Sequence, residues 1–323
     1  MKRLLLSLLC LLLCSKAWCW GFFGHERINE LAIYLLPPEL IAFFKPNKDY
    51  LVAHATDPDK RRYAVAPEGA RHYLDLDRYG TYPYDSLPRT WNAAVAKFGE
   101  DSLNKHGIVP WWVDVMKRRL TAAFEKKNAS LILKLSAEIG HYIADAHVPL
   151  HASSNHNGQL TNQRGIHGFW ESRLPELWAN TSYDFFIDKA QYLNDPLGFI
   201  WKRIEESGLA ADTVLRYEKE LQLLYPEQQR YAFEERNGKT IKQYSTGYSL
   251  AYHTKLNGMV ERRMRASIFA VASFWYTAWV DAGQPNLKGL NRAEWTVEDQ
   301  KELEELEKAW KKGTILGKDC EEF

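Results

Sequence analysis

Apolar residues recur every three or four positions through most of this 323-residue chain, and strict apolar–polar alternation is rare. A stripe at that spacing lies on one face of a helix and has to be buried against other helices. The stretches "HERINELAIYLL", "VPWWVDVMKRRLTAAFEKK" and "ASLILKLSAEIGHYIADAHV" carry the pattern clearly, and "PPELIAFF" restarts it behind a proline of the kind a first helical turn tolerates. Further helices are predicted in "PRTWNAAVAKFGEDSLNKHG", "DPLGFIWKRIEESG" and "AADTVLRYEKELQLLY", and one long helix in "YHTKLNGMVERRMRASIFAVASFWYTAWVDAG". The exception is "RHYLDLDRYG", whose alternation predicts a short extended segment. The expected class is therefore all-α, a single multi-helix bundle-like domain over residues 20–285. Residues 286–323 form a charged tail in which "VEDQKELEELEKAWKK" predicts a solvated or edge-packed helix. The chain has 12 tryptophans, but Trp111, Trp112, Trp275 and Trp279 fall in helical apolar patterns, so core packing accounts for them.

The first 19 residues read differently. Lys2 and Arg3 precede an apolar run from Leu4 to Cys14, then come polar and small side chains, which is the order of a secretory signal peptide. The run is shorter than the roughly 20 residues a bilayer span needs, so no stable transmembrane segment is expected once the leader is removed. Ala17 and Cys19 supply small residues for a cut before Trp20, and the mature chain is expected to be secreted or periplasmic. That cut removes Cys10, Cys14 and Cys19 and leaves Cys320 as the only cysteine, so no intrachain disulfide can form. An exported chain of this kind needs a large core or bound metal for rigidity. The formal charge of +1 falls to about −2 without Lys2, Arg3 and Lys16, which gives no broad basic surface for duplex nucleic acid.

Ligand-type side chains concentrate between residues 141 and 171. His141 and Asp145 are four apart on a predicted helix and share a face, Pro149 ends that helix, and His151 follows. His167 and Glu171 form a second pair at the same spacing. Three imidazoles and two carboxylates so placed suit zinc, which takes nitrogen and carboxylate oxygen. One such pair alone is usually a hydrogen-bonded pair; two bracketing His151 make coincidence a poor explanation. Upstream, "HATDPDKRRY" and "RHYLDLD" add His54, Asp57, Asp59, His72, Asp75 and Asp77, any of which alone suits an ordinary loop. His147 turns about 240° from His141 around the helix, away from the ligand face.

Taken together, "WGFFGH" at 20–25, "ATDPD" at 55–59, "HYLD" at 72–75, "HYIADAHVPLH" at 141–151 and "HGFWE" at 167–171 resemble the zinc-dependent phospholipase C and S1/P1 nuclease superfamily. The resemblance implies an all-α fold and three zinc ions. One would be held by Asp57, His72, His141 and Asp145, and a second by His151, His167 and Glu171. The third would sit on the free amine and carbonyl oxygen of Trp20, with His25 and a bridging Asp145. A terminal residue can close that five-membered chelate only after the leader is cut. Asp57 is implied as an aid to water activation, and Asp75 stands where nuclease relatives can contact substrate.

Three zinc ions against about three carboxylates make a cationic site suited to an anionic phosphoester, attacked by water that zinc acidifies towards a pKa of about 7. The H-x-x-x-E form of the second pair resembles the bacterial phospholipase C branch, where nucleases usually carry aspartate. The expected activity is thus hydrolysis of a phospholipid or related phosphodiester. A single-strand nuclease and nucleotidase acting on single-stranded nucleic acid is the alternative from the same chemistry. A non-catalytic exported protein that zinc only stabilises is the alternative from another class. Oligomeric state is not legible.

Overall fold

The computed structural model describes residues 21–236, 238–290 and 297–313. Five long helices organise it: α1 (Phe22–Ala32), α2 (Val109–Glu125), α3 (Ala129–Asp145), α4 (Pro196–Gln222) and α5 (Met259–Asp281). Helix α3 is the central one. From Leu135 to Asp145 every residue is buried, which is the composition of a helix enclosed on all sides. Asn128 caps its start by accepting from the Leu131 N–H at 3.0 Å. Helices α1, α2 and α5 pack around it, and α4 lies against α2.

Aromatic side chains fill the spaces between these helices. Trp275 of α5 is fully buried, stacks on Phe44 at 5.0 Å and donates its indole N–H to the Ser136 carbonyl of α3 at 3.0 Å. The last carbonyls of α3 and the turn after it would be orphaned in the interior. Ser207 of α4 donates to the Ala146 carbonyl at 2.7 Å, and Arg263 of α5 donates to that of His147 at 2.7 Å. The His141–Asp145 end of α3 is therefore fastened by two neighbouring helices.

The all-α expectation holds, with one small addition. Strands β1 (Tyr231–Arg236) and β2 (Lys239–Tyr244) form an antiparallel hairpin, with Tyr231 opposite Tyr244. Three stretches differ from their predicted form. The segment "RHYLDLDRYG" is not a strand: it comprises the end of a 3-10 helix over Ala66–His72, extended backbone at Tyr73 and another 3-10 turn over Leu76–Arg78. The long helix predicted before Asp281 is interrupted at Asn257 and Gly258, both with positive φ, giving Thr246–Lys255 and then α5. Gly99, with φ +79°, likewise divides Trp91–Phe98 from Glu100–His106. Conversely, two predicted helices are the single α4.

The charged tail contributes α6 (Val297–Lys312), which packs on the short helix Asp57–Arg61. Among the described residues no helix is long and apolar enough to cross a membrane. The expected leader, its cut and Trp20 lie outside the described residues.

Candidate metal centre

Helix α1 approaches α3 very closely, and Gly140 permits it. A methyl group at Gly140 would lie 2.0 Å from Asn29 Oδ1, and Asn29 donates to the Ala137 carbonyl at 3.1 Å. One turn before Asn29, His25 consequently stacks on His141, ring centres 3.8 Å apart and planes 16° from parallel. The His25 Nε2 atom is 3.5 Å from Asp145 Oδ1. The start of α1 is pinned where the Gly21 N–H donates to Ser172 Oγ at 3.0 Å, next to Glu171.

His141 donates from Nδ1 to the Ala55 carbonyl at 2.9 Å, which leaves Nε2 to face inward. That nitrogen is 3.2 Å from Asp145 Oδ2, 3.1 Å from His72 Nδ1 and 3.6 Å from Asp59 Oδ1. His72 presents Nδ1, at 2.9 Å from Asp145 Oδ2 and 3.8 Å from Asp59 Oδ1. Two overlapping groups of converging ligand atoms result: His25, His141 and Asp145, and Asp59, His72 and His141.

The structure brings Asp59, not Asp57, to His72 and His141. Residues two apart on a helix point to nearly opposite sides, so only one of the two aspartates can face the cluster. Asp57 instead lies 2.5 Å from His54 Nδ1 and accepts from Lys60 at 3.2 Å. Burial opposes ionisation of Asp57, but His54 and Lys60 outweigh it and lower its pKa.

A third group joins His151, His167 and Glu171. His151 donates from Nδ1 to the His72 carbonyl at 2.7 Å, the Leu74 N–H returns to the His151 carbonyl at 2.9 Å, and Nε2 is left 3.5 Å from Glu171 Oε2. His167 Nε2 lies 3.0 Å from the same oxygen. The Asn157 side chain accepts from the Gly165 N–H at 2.9 Å and so fixes the entry to this helical run. Glu171 itself sits in a π-helical turn, Phe169–Arg173, a widened geometry that recurs at functional sites. The hairpin supports that turn: Arg173 donates to Glu234 at 3.1 Å and to the Tyr244 carbonyl at 3.2 Å, and Phe169 stacks on Tyr244 at 3.7 Å. The third group lies beside the others: Asp145 Oδ1 is 3.6 Å from His151 Nδ1, the nitrogen that donates to the His72 carbonyl.

Every residue in these groups is buried. Burial opposes ionisation of Asp145 and Glu171, but surrounding imidazoles overcome it and hold both carboxyls low, Asp145 well below the usual range. At Asp59 burial prevails and raises the pKa despite His141 and His72. Burial and His141 keep His25 neutral by pushing its pKa well down. His72 goes the other way: burial opposes its protonation, yet Asp145 and Glu68 raise it to about 9.

A cation fits this arrangement. Both oxygens of Asp59, both of Glu171, Asp145 Oδ1 and His151 Nε2 are buried without a hydrogen-bond partner. Buried carboxylate oxygens left without a donor are costly unless a positive charge faces them. The donor set of imidazole nitrogen and carboxylate oxygen is that of zinc, and backbone carbonyls orient two of the imidazoles.

The other candidates separate from these groups. Asp75 is buried, with Oδ2 3.8 Å from His106 Nδ1. It lines a cavity of about 1450 Å³ together with Arg71, Tyr73, Trp91, Trp111 and Trp112, and none of the clustered ligands lines that cavity. His147 donates from Nδ1 to the Ile143 carbonyl at 2.7 Å, in keeping with its position off the ligand face. The sequence offers Asp59 only as one of several upstream candidates, and it does not single out Glu68. Asp59 passes for a solvated charge among Lys60, Arg61 and Arg62. Glu68 is fully buried against His72, and "EGARH" offered the four-residue spacing that could have found it.

No curated protein matches the chain. A family model described as zinc dependent phospholipase C matches residues 24–233. That span is more than half of the chain and contains all three groups of converging ligands, from His25 to Glu171. The chain belongs to the zinc dependent phospholipase C family, which supports a phosphodiesterase-like function.

Proposed function

We propose that this protein is an exported zinc-dependent phosphodiester hydrolase acting on phospholipids. The observation that carries the reading is the three neighbouring groups of buried imidazoles and carboxylates, in which six ligand atoms of Asp59, Asp145, His151 and Glu171 have no hydrogen-bond partner. Zinc bound there supplies acidification of water to a pKa of about 7 and neutralisation of phosphoryl charge.

The chain's own residues do the rest. His72, His141, Asp145 and Asp59 hold one ion; we assign Asp59 the place the sequence suggested for Asp57. His151, His167 and Glu171 hold a second. The third site falls to Trp20, His25 and Asp145, and the anchoring of Gly21 on Ser172, which holds the start of α1 and with it His25, supports it. Asp59, with two oxygens lacking donors, is placed to orient the attacking water. Asp75 and the aromatic cavity beside it supply substrate contacts.

The test is the zinc content of the mature chain together with a substrate panel. Three zincs per chain and release of the phosphorylated headgroup from phosphatidylcholine micelles, abolished by a chelator, are expected. Hydrolysis of denatured DNA without lipid cleavage would replace the lipid reading by the nuclease one. Full zinc with neither activity would leave a structural metal protein.

A further inference from the structure

His72 differs from its neighbours in how it faces the cluster. His141 and His151 each direct Nδ1 to a backbone carbonyl and offer Nε2, whereas His72 offers Nδ1 and turns Nε2 outward. A ligating imidazole carries its proton on the nitrogen away from the metal, and that N–H usually meets a carboxylate or carbonyl that fixes the ring. His72 Nε2 is buried and has no hydrogen-bond partner; the carboxylate facing it is Glu68, Oε1 at 3.6 Å.

Glu68 is held from several directions. The Tyr142 hydroxyl donates to Oε1, Arg71 donates to Oε2 at 2.5 Å, and Arg61 Nη1 lies 3.6 Å from Oε2. The Arg71 guanidinium lies over the Trp112 ring at 3.8 Å, and Arg61 is shared with Glu138. Tyr142 follows His141 directly on α3, so the same helix that supplies a ligand also braces the carboxylate behind His72.

We infer that Glu68 is a positioning residue for zinc: it receives the His72 Nε2–H, fixes the ring with Nδ1 inward and strengthens His72 as a ligand, and the Arg61, Arg71 and Tyr142 cradle serves that role. The inference rests on the zinc reading of the centre. A carboxylate there also makes the imidazole a stronger electron donor to the ion.

The experiment compares wild type, Glu68→Gln and Tyr142→Phe as mature protein. It measures zinc affinity by competition with a chromogenic chelator, the visible spectrum of the cobalt(II)-substituted protein, and the rise in melting temperature caused by zinc. Glu68→Gln is expected to weaken one zinc by about 10–100-fold, alter the cobalt spectrum and shrink the zinc-induced rise. Tyr142→Phe, which removes one donor and keeps the charge, is expected to do the same to a smaller extent. If Glu68 serves only the local ion pairs, metal-free and zinc-loaded forms lose stability equally while affinity and spectrum stay as in wild type; that result overturns the inference and leaves the zinc reading intact. Should Glu68→Gln fail to fold, an unchanged zinc affinity and cobalt spectrum in Tyr142→Phe overturn it. Wild type that binds no zinc removes both.

Discussion

Two aspartates on either side of Pro58 carry opposite assignments, and the difference is decided by a half-turn of helix. Asp59 places two oxygens without donors at the His72 and His141 edge, whereas Asp57 is consumed by His54 and Lys60. Asp59→Asn is therefore expected to lose one zinc and most activity, with metal affinity falling about 10–100-fold or more, and Asp57→Asn to keep both. Zinc counts on the two purified variants check this, and loss in Asp57→Asn with retention in Asp59→Asn would reverse the assignment. The other residues of the three groups were legible because their spacing is itself geometric: His141 with Asp145 and His167 with Glu171 stand one turn apart on any helix. Asp59 was not legible because adjacent turn positions do not reveal which of them faces inward.

Elements bring these residues together, and the approach of α1 to α3 is the critical one. Gly140→Ala places a methyl 2.0 Å from Asn29 Oδ1, in an interior where neither partner can leave for solvent. Overpacking of this kind costs about 1–3 kcal/mol, and relief requires α1 to move outward, which pulls His25 away from His141. Denaturant unfolding of the metal-free variant is expected to show that loss, and the zinc that depends on His25 is expected to bind less tightly; wild-type stability in Gly140→Ala would refute the close-approach account. Most helices were legible from periodicity, but their interruptions at Gly99 and Gly258 were read through, since long apolar patterns continue on both sides. The hairpin was also missed, although Asn237-Gly238 between "YAFEER" and "KTIKQY" is a strong hairpin signal. The π-helical turn at Glu171 has no such signal, because a four-residue pair looks alike in α and π geometry.

At the scale of the whole molecule, the start of α1 and helix α6 of the tail meet beside the candidate metal centre. A mature chain with one residue added before Trp20 converts the terminal amine into an amide, so it is expected to bind one zinc fewer than the unextended chain. Full zinc content in that variant would remove the terminal chelate. The tail packs against the start of α1 and the short helix Asp57–Arg61. Helix α6 buries Leu306, sets Trp310 against Phe22 at 5.7 Å and brings Glu307 within 3.9 Å of Lys60. The ion pair contributes little, being partly exposed, whereas burying one leucine contributes about 1.5–3 kcal/mol. Lys60 directly follows Asp59, so α6 braces the start of α1 at Phe22 and the short helix that carries Asp59. Among the described residues it packs mainly on the short helix Asp57–Arg61 and not on the elements that carry His151, His167 and Glu171. Truncation after Leu290 is expected to lower the melting temperature by several degrees and to speed zinc loss to a chelator from the sites that use Asp59 and Trp20. The zinc on His151, His167 and Glu171 is expected to leave at the wild-type rate, so release should change from similar rates to a fast phase and a slow one. Equal acceleration of all zincs would mean that the tail stabilises the bundle at large, and no acceleration would mean that α6 only shields Phe22 from solvent.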